Sequence, residues 1–164
     1  MHTLIAYSSK YGATKACAEA IAAQLNGQID LCDLDKNMPD LTAYDAVIVG
    51  SSVYMTRARK AVRNFCKAQM PALLGKRLGL FLCCVQDLDK TVSEQMQLAF
   101  PKPLRDHAAA LGALGGQVDY TKLSRMDGMI MNMVAGDLRR KTGKDVVSTI
   151  APERIARFAE LMKG

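Results

Sequence analysis

The stretch Tyr7-Ser8-Ser9-Lys10-Tyr11-Gly12-Ala13-Thr14 follows a short apolar run, residues 3–7, and precedes an Ala-rich segment. In that segment Ala18, Ile21, Ala22 and Leu25 recur at helical spacing. A buried strand that turns through small hydroxyl residues and a glycine into a helix is a junction where many α/β proteins hold a phosphate. Gly12 lets the chain turn without a Cβ clash. The free N–H groups of the first helical turn, around Gly12 to Thr14, point to one spot, and the helix dipole favours an anion there. The hydroxyls of Ser9 and Thr14 are placed to donate to phosphate oxygens, and Lys10 adds positive charge. The pattern is neither a Walker loop nor GxGxxG, which argues against ATP and NAD. A plain helix start is the competing reading of this stretch taken alone.

Residues 14–25 read as a helix stopped by Asn26-Gly27, and 28–33 alternate like a strand. Residues 45–50 form a continuous apolar strand that opens into a small-residue loop. A helix over 58–68 turns Ala61, Val62, Phe65 and Cys66 inward, and 77–85 is the next buried strand. Residues 87–98 are polar and partly helical. A short helix is expected over 104–114, ended by Gly115-Gly116, with a fifth strand over 117–123 and a last helix over 152–162. Alternating short strands and helices imply a parallel sheet covered on both faces, built as one domain over 1–164. A ligand of such a doubly wound sheet lies beyond the carboxyl ends of the strands, at the switch between the first and third. Those ends lead into SSKYGAT (8–14), SSVYMTR (51–57) and CCVQDLD (83–89).

Composition bounds the function. Of 164 residues, 49% are hydrophobic and 23% charged, as in a folded globule rather than a disordered chain. No apolar run is long enough to span a bilayer, and 7–15 is polar where a signal peptide would be apolar, so a cytoplasmic location is expected. Five cysteines without a CxxC, and only two histidines, argue against a zinc site or a disulfide scaffold and for buried thiols. No Ser/His/Asp set is evident: His2 is terminal and His107 lies on a predicted helix. Asp33 and Asp35 read as solvated acids at a strand end rather than as metal ligands.

The net charge is +6. No acid occurs between Asp45 and Asp87, a window that holds Arg57, Arg59, Lys60, Arg63 and Lys67. A second basic group comprises Lys122, Arg125, Arg139, Arg140, Lys141 and Lys144. Either the charge is plain solvated surface or it meets an anionic partner: a membrane, a nucleic acid or an acidic small molecule. Aromatics total 5% with no Trp, so stacking on bases is poorly served and nucleic acid is not expected. Between the basic groups Met126, Met129, Ile130, Met133 and Val134 make one apolar stripe. It is either a core-facing helix or a Met-rich surface for a large flat apolar molecule or a membrane.

Together these segments resemble the flavodoxins. Ser9, Gly12 and Thr14 match a phosphate loop of the kind (S/T)-x-(S/T)-G-x-T, with Tyr11 in place of the middle hydroxyl residue. VIVGSSVYMTR (47–57) matches the second loop, which in flavodoxins runs along the flavin ring. Ser51, Ser52, Val53, Tyr54 and Met55 occupy it, with Tyr54 at the position of a stacking aromatic. Cys84, Val85, Gln86 and Asp87 fall where a third loop flanks the ring. The resemblance implies the strand order 2-1-3-4-5 and FMN as cofactor, with its phosphate on residues 9–14, Lys10 and Ala13 included. Two features depart: Met55 stands where flavodoxins usually have Gly, and the chain is basic where they are usually acidic.

The chain is also similar, over nearly its whole length, to the short flavodoxin-like protoporphyrinogen dehydrogenases. Their late strand-then-helix segment is matched by Gly116, Val118, Tyr120 and Asp127. This resemblance implies an FMN oxidoreductase with no catalytic side chain and no metal. Met126, Met129, Met133, Arg139, Arg140 and Lys141 would hold a small-molecule substrate, a quinone or the inner face of an anionic membrane. A flavodoxin-type electron carrier serving a redox partner protein, and a flavin-free interaction module of the same fold, are the alternatives.

Overall fold

A computed structural model of the chain describes residues 1–54, 57–85 and 89–164, the side chains of 54 and 89–91 excepted. The elements run β1 (His2–Ser8), α1 (Ala13–Ala22), β2 (Gln28–Asp33), β3 (Ala46–Tyr54), β4 (Arg57–Ala58), α2 (Lys60–Ala68), α3 (Met70–Leu74) and β5 (Arg77–Cys83). They continue α4 (Asp89–Ala99), α5 (Lys102–His107), β6 (Ala110–Ala113), β7 (Gln117–Asp119), α6 (Arg125–Thr142), β8 (Val146–Ser148) and α7 (Pro152–Lys163).

The main sheet is ordered β2-β1-β3-β5-β6 and these five strands are parallel. The two-residue β4 folds back antiparallel on the far end of β3. Setting β4 aside, this is the expected flavodoxin-like order. Strand alternation sorts the core onto two faces. Leu4 and Ala6 of β1 join Phe65, Leu80, Phe100 and Leu104 on one side. Ile5 and Tyr7 join Ile21, Phe81, Phe158 and Met162 beneath α1 and α7 on the other. There Phe81 and Phe158 meet edge to face at 5.9 Å.

The fifth strand differs from expectation. The helix expected over 104–114 ends at His107, and Ala110–Ala113 pairs instead with β5, Gly79 opposite Ala110. Ala-Leu-Gly-Ala has adequate helix propensity, but the edge of β5 needs a partner, and tertiary pairing outweighs a weak local preference. Gly112 also leaves room for Phe158, whose Cδ2 would stand 3.2 Å from an added Cβ. The segment expected as the fifth strand, 117–123, is β7 and the turn after it. Among the described residues β7 pairs with β8 alone, antiparallel, outside the main sheet.

Between Leu114 and Ala151 the chain therefore makes an excursion carrying α6. Its base is closed by Ala151 N–H donating to Leu114 O (3.0 Å) and Thr149 N–H donating to Gly116 O (2.8 Å). Gly115 has φ of 84°, and an added Cβ would lie 1.9 Å from the Thr149 carbonyl oxygen, so only glycine fits this crossing. α6 starts at Ser124, whose Oγ accepts from the Asp127 N–H, and stops at left-handed Gly143, as capping rules require.

None of the five cysteines forms a disulfide. Burial pushes the Cys66 thiol up to about 12, while Cys32 and Cys84 are half-buried. Thiol titration of the native protein near about pH 8 is expected to label Cys32 and Cys84 first, and Cys17, Cys66 and Cys83 only after unfolding. Rapid loss of the Cys66 thiol would contradict the packing. Among the described residues no helix is long and apolar enough to cross a membrane.

Candidate ligand cleft at the carboxyl ends of β1, β3 and β5

The strand ends open into a cleft with a cavity volume of about 170 Å³ and a mouth open to solvent. The phosphate-type loop supplies Ser9, Lys10, Tyr11 and Ala13, the β3 end supplies Ser52 and Val53, and the β5 end supplies Cys83, Cys84 and Val85. Three loops far apart in sequence thus meet at the switch point. The fourth wall is the excursion, through Val118, Ile130, Met131 and Val134. Gly116 permits the junction, since an added Cβ would lie 2.7 Å from the Cys84 carbonyl carbon.

The first loop is arranged for an anion. Gly12 precedes α1 with φ of 98°, no side chain caps the helix, and the Gly12 N–H donates to Ser9 Oγ at 3.0 Å. The first-turn N–H groups of α1 lack partners within their own helix. The Thr14 hydroxyl is fully buried without a hydrogen-bond partner, beside the weakly accepting Cys83 thiol. The Ser52 hydroxyl at the β3 end is likewise unpartnered. Buried polar groups are rarely left so. Two orphaned hydroxyls at an uncapped helix start and at the neighbouring strand end fit a phosphorylated ligand.

Ser51 lies in the same loop, but its Oγ donates to the Ser52 carbonyl (2.9 Å) and accepts from the Arg59 N–H (3.0 Å), so it braces the loop from inside. Arg59, counted in the sequence with the surface cations, points inward. Its Nε donates to Ser8 Oγ at 2.7 Å and its guanidinium pairs with Asp35 at 3.4 Å. Asp35 also accepts from Ser8 Oγ at 2.6 Å. Of the other expected residues, the Tyr54 side chain, Met55, Gln86 and Asp87 lie outside the described residues. Among the described residues no three His, Cys, Asp or Glu side chains gather as a metal site.

The apolar stripe divides. Ile130 and Val134 face the cleft, joined by Met131, whereas Met126, Met129 and Met133 point outward and are 68%, 71% and 88% exposed. The Met residues are therefore surface, not core. Nor does the basic tail reach the cleft. Arg139 pairs with Asp145 at 2.7 Å and lies over the Tyr120 ring at 4.3 Å, Arg140 pairs with Asp137, and Lys141 is solvent-exposed.

Asp127, from the first turn of α6, is the polar centre of the roof. Its carboxylate is 2.8 Å from Lys10 Nζ and accepts the Tyr11 hydroxyl, so two loop residues hold the excursion. A Ser-x-x-Asp pattern is legible as a helix cap. That the same acid also reaches the first loop is a tertiary fact which no local pattern carries. The hydrogen bond to Asp127, followed by burial, raises the Tyr11 phenol above its usual value. A raised phenol favours the folded state below the unfolded pKa near about 10, and that contribution is lost as pH rises through the higher folded value. Asp127→Asn is expected to bring one tyrosine back toward normal in an alkaline titration at about 295 nm. An unchanged curve would show that Tyr11 and Asp127 do not pair in solution.

Residues 4–145 match the family model described as "Flavodoxin domain". No curated protein matches the chain in sequence. Among solved structures, oxidised Flavodoxin 2 from Bacillus cereus is 19% identical with TM-score 0.58, covering 99% of this chain and 97% of that one. A WrbA-like flavodoxin from Agrobacterium tumefaciens is 20% identical with TM-score 0.54, covering 98% and 96%. A Fusobacterium nucleatum flavodoxin mutant bound to flavin mononucleotide is 11% identical with TM-score 0.56, covering 99% and 95%. At these identities the structural likeness shows the fold.

Proposed function

The chain belongs to the flavodoxin family, and from that premise we propose that it is an FMN-binding redox protein whose cleft takes the flavin with its phosphate on the first loop. The observation that carries the reading is the buried, unpartnered Thr14 hydroxyl at the uncapped start of α1. Ser9, Thr14 and the first-turn N–H groups would hold the phosphate, with Lys10 nearby as a cation. Val53 and Val85 would flank the ring, and Ser52 would offer its hydroxyl to a polar edge. The bound flavin supplies the hydride or electron transfer. The protein's part is to hold and orient it and to exclude water, for which no acid–base side chain is needed.

Family membership supports flavodoxin-type electron transfer. The finer reading is an oxidoreductase similar to the quinone-linked protoporphyrinogen dehydrogenases. What favours it is the apolar wall of Ile130, Met131 and Val134, which suits a large flat apolar ring. Porphyrinogen oxidation with a quinone acceptor tests it. Turnover is expected in the FMN-loaded protein and is expected to fall at least about tenfold in Val134→Asp, with FMN still bound, because a carboxylate in an apolar wall opposes an apolar substrate. An FMN-loaded protein with no turnover leaves the carrier reading in place and removes the enzyme reading.

A further inference from the structure

The outer face of α2 carries Lys60, Arg63 and Lys67, spaced i, i+3 and i+7 and all exposed, with exposed Arg57 just before them on β4. None of the four forms an ion pair among the described residues, whereas Arg59, between Arg57 and Lys60, is paired inward with Asp35. No acid occupies the first turn of α2, and no large apolar side chain is exposed on β4 or α2. The strip begins at the cleft. Arg57 stands opposite Tyr54 and Ala58 opposite Val53, and Val53 lines the cleft wall.

We propose that this face docks an acidic redox protein that exchanges electrons with the flavin. The inference rests on the FMN reading and adds the partner. Four cations that no described residue neutralises, beside the loop that would border the flavin, create a positive field where a partner must approach for electron transfer. Uncompensated like charges on one helix face do nothing for the isolated fold and are relieved by an opposite charge. A small, wholly polar patch suits a transient, electrostatically steered encounter of the kind redox proteins make. It lacks the apolar side chains that would insert into a bilayer. Each encounter moves one electron between the partner's centre and the flavin, one side oxidised by one and the other reduced by one, with no bond made or broken.

The probe is a reduced plant-type ferredoxin, an acidic one-electron donor, mixed rapidly with FMN-loaded protein. Basic cytochrome c, reacting with the flavin-reduced protein, is the counter-probe. The ferredoxin rate constant is expected to fall at least about tenfold between about 20 mM and about 500 mM salt. It should fall as much at low salt in Lys60→Glu/Arg63→Glu/Lys67→Glu, which still takes FMN and is still fully reduced by excess dithionite. A salt-independent rate, a charge-reversed variant as fast as wild type, or faster reaction with cytochrome c at low salt would overturn the proposal. Binding to phosphatidylglycerol vesicles that the variant loses, with its ferredoxin rate intact, would also overturn it and assign the face to lipid. A protein that takes no FMN fails the earlier reading before any rate is measured. Docking is then read separately, as salt-sensitive shifts of the α2 amides on adding oxidised ferredoxin, and their absence would overturn the docking face itself.

Discussion

Replacing Thr14 by Val, together with Ser9 by Ala, is expected to weaken FMN binding at least about 100-fold. Hydrogen bonds to a charged group contribute about 1.5–3 kcal/mol each, so losing two amounts to about 3 kcal/mol or more, which is two powers of ten in Kd. The single change Thr14→Val sharpens the test because its two effects have opposite signs. Without ligand, the Thr14 hydroxyl is buried and unpartnered, a defect that typically costs about 1–3 kcal/mol. Valine has the same shape and no polar atom, so the flavin-free protein should gain about 1 kcal/mol and melt a few degrees higher. A purely structural threonine would give no loss of FMN affinity. Equal affinity for wild type and Thr14→Val, measured by flavin fluorescence, would remove Thr14 from the phosphate site.

Asp127→Leu is expected to release α6. The Asp127 side chain is 6% exposed and takes both Lys10 and Tyr11. Deleting one partner of a fully buried ion pair costs about 3–5 kcal/mol. Lys10 is a third exposed and can turn to water, so about 2 kcal/mol is the better figure. The cost falls on the excursion, because the two core clusters contain no residue of α6. The expected signature is local: trypsin should cut after Arg139, Arg140 and Lys141 much faster in the variant, while global melting shifts by only a few degrees. Asp127→Asn keeps an acceptor for Tyr11 and should lie between the two. Equal cleavage of wild type and Asp127→Leu would mean that the carboxylate does not anchor the roof.

The parts legible in the sequence were those with a strong local signature. Continuous apolar runs such as 45–50 and 77–85, bounded by turn residues, read as buried strands, and small polar residues after each mark where those strands deliver a ligand. That logic located Ser9, Lys10, Tyr11, Ala13, Ser52, Val53, Cys84 and Val85, which the fold gathers into one cleft. Residues 110–113 read as helix in the sequence because a four-residue edge strand of Ala, Leu and Gly has no β signature of its own. Its partner, β5, lies about thirty residues earlier in the chain. The Met stripe was half-legible. Periodicity identifies a helix with an apolar side, but Ile130 and Val134 differ from Met126, Met129 and Met133 only in which way the whole helix is turned. Asp127 settles that rotation through Lys10 and Tyr11, more than a hundred residues away. Arg59 shows the same limit, since composition counts a cation without telling whether it faces water or Asp35.

The whole functional reading turns on whether the first loop holds the phosphate of FMN. It is tested most directly by titrating the flavin-free protein with FMN and, separately, with riboflavin, following the quenching of flavin fluorescence. FMN is expected to bind tightly and saturably, and riboflavin more weakly by about 100-fold or more, because only FMN carries the dianion that Ser9, Thr14 and the start of α1 await. Equal affinity for the two flavins, or no binding of FMN, would contradict it.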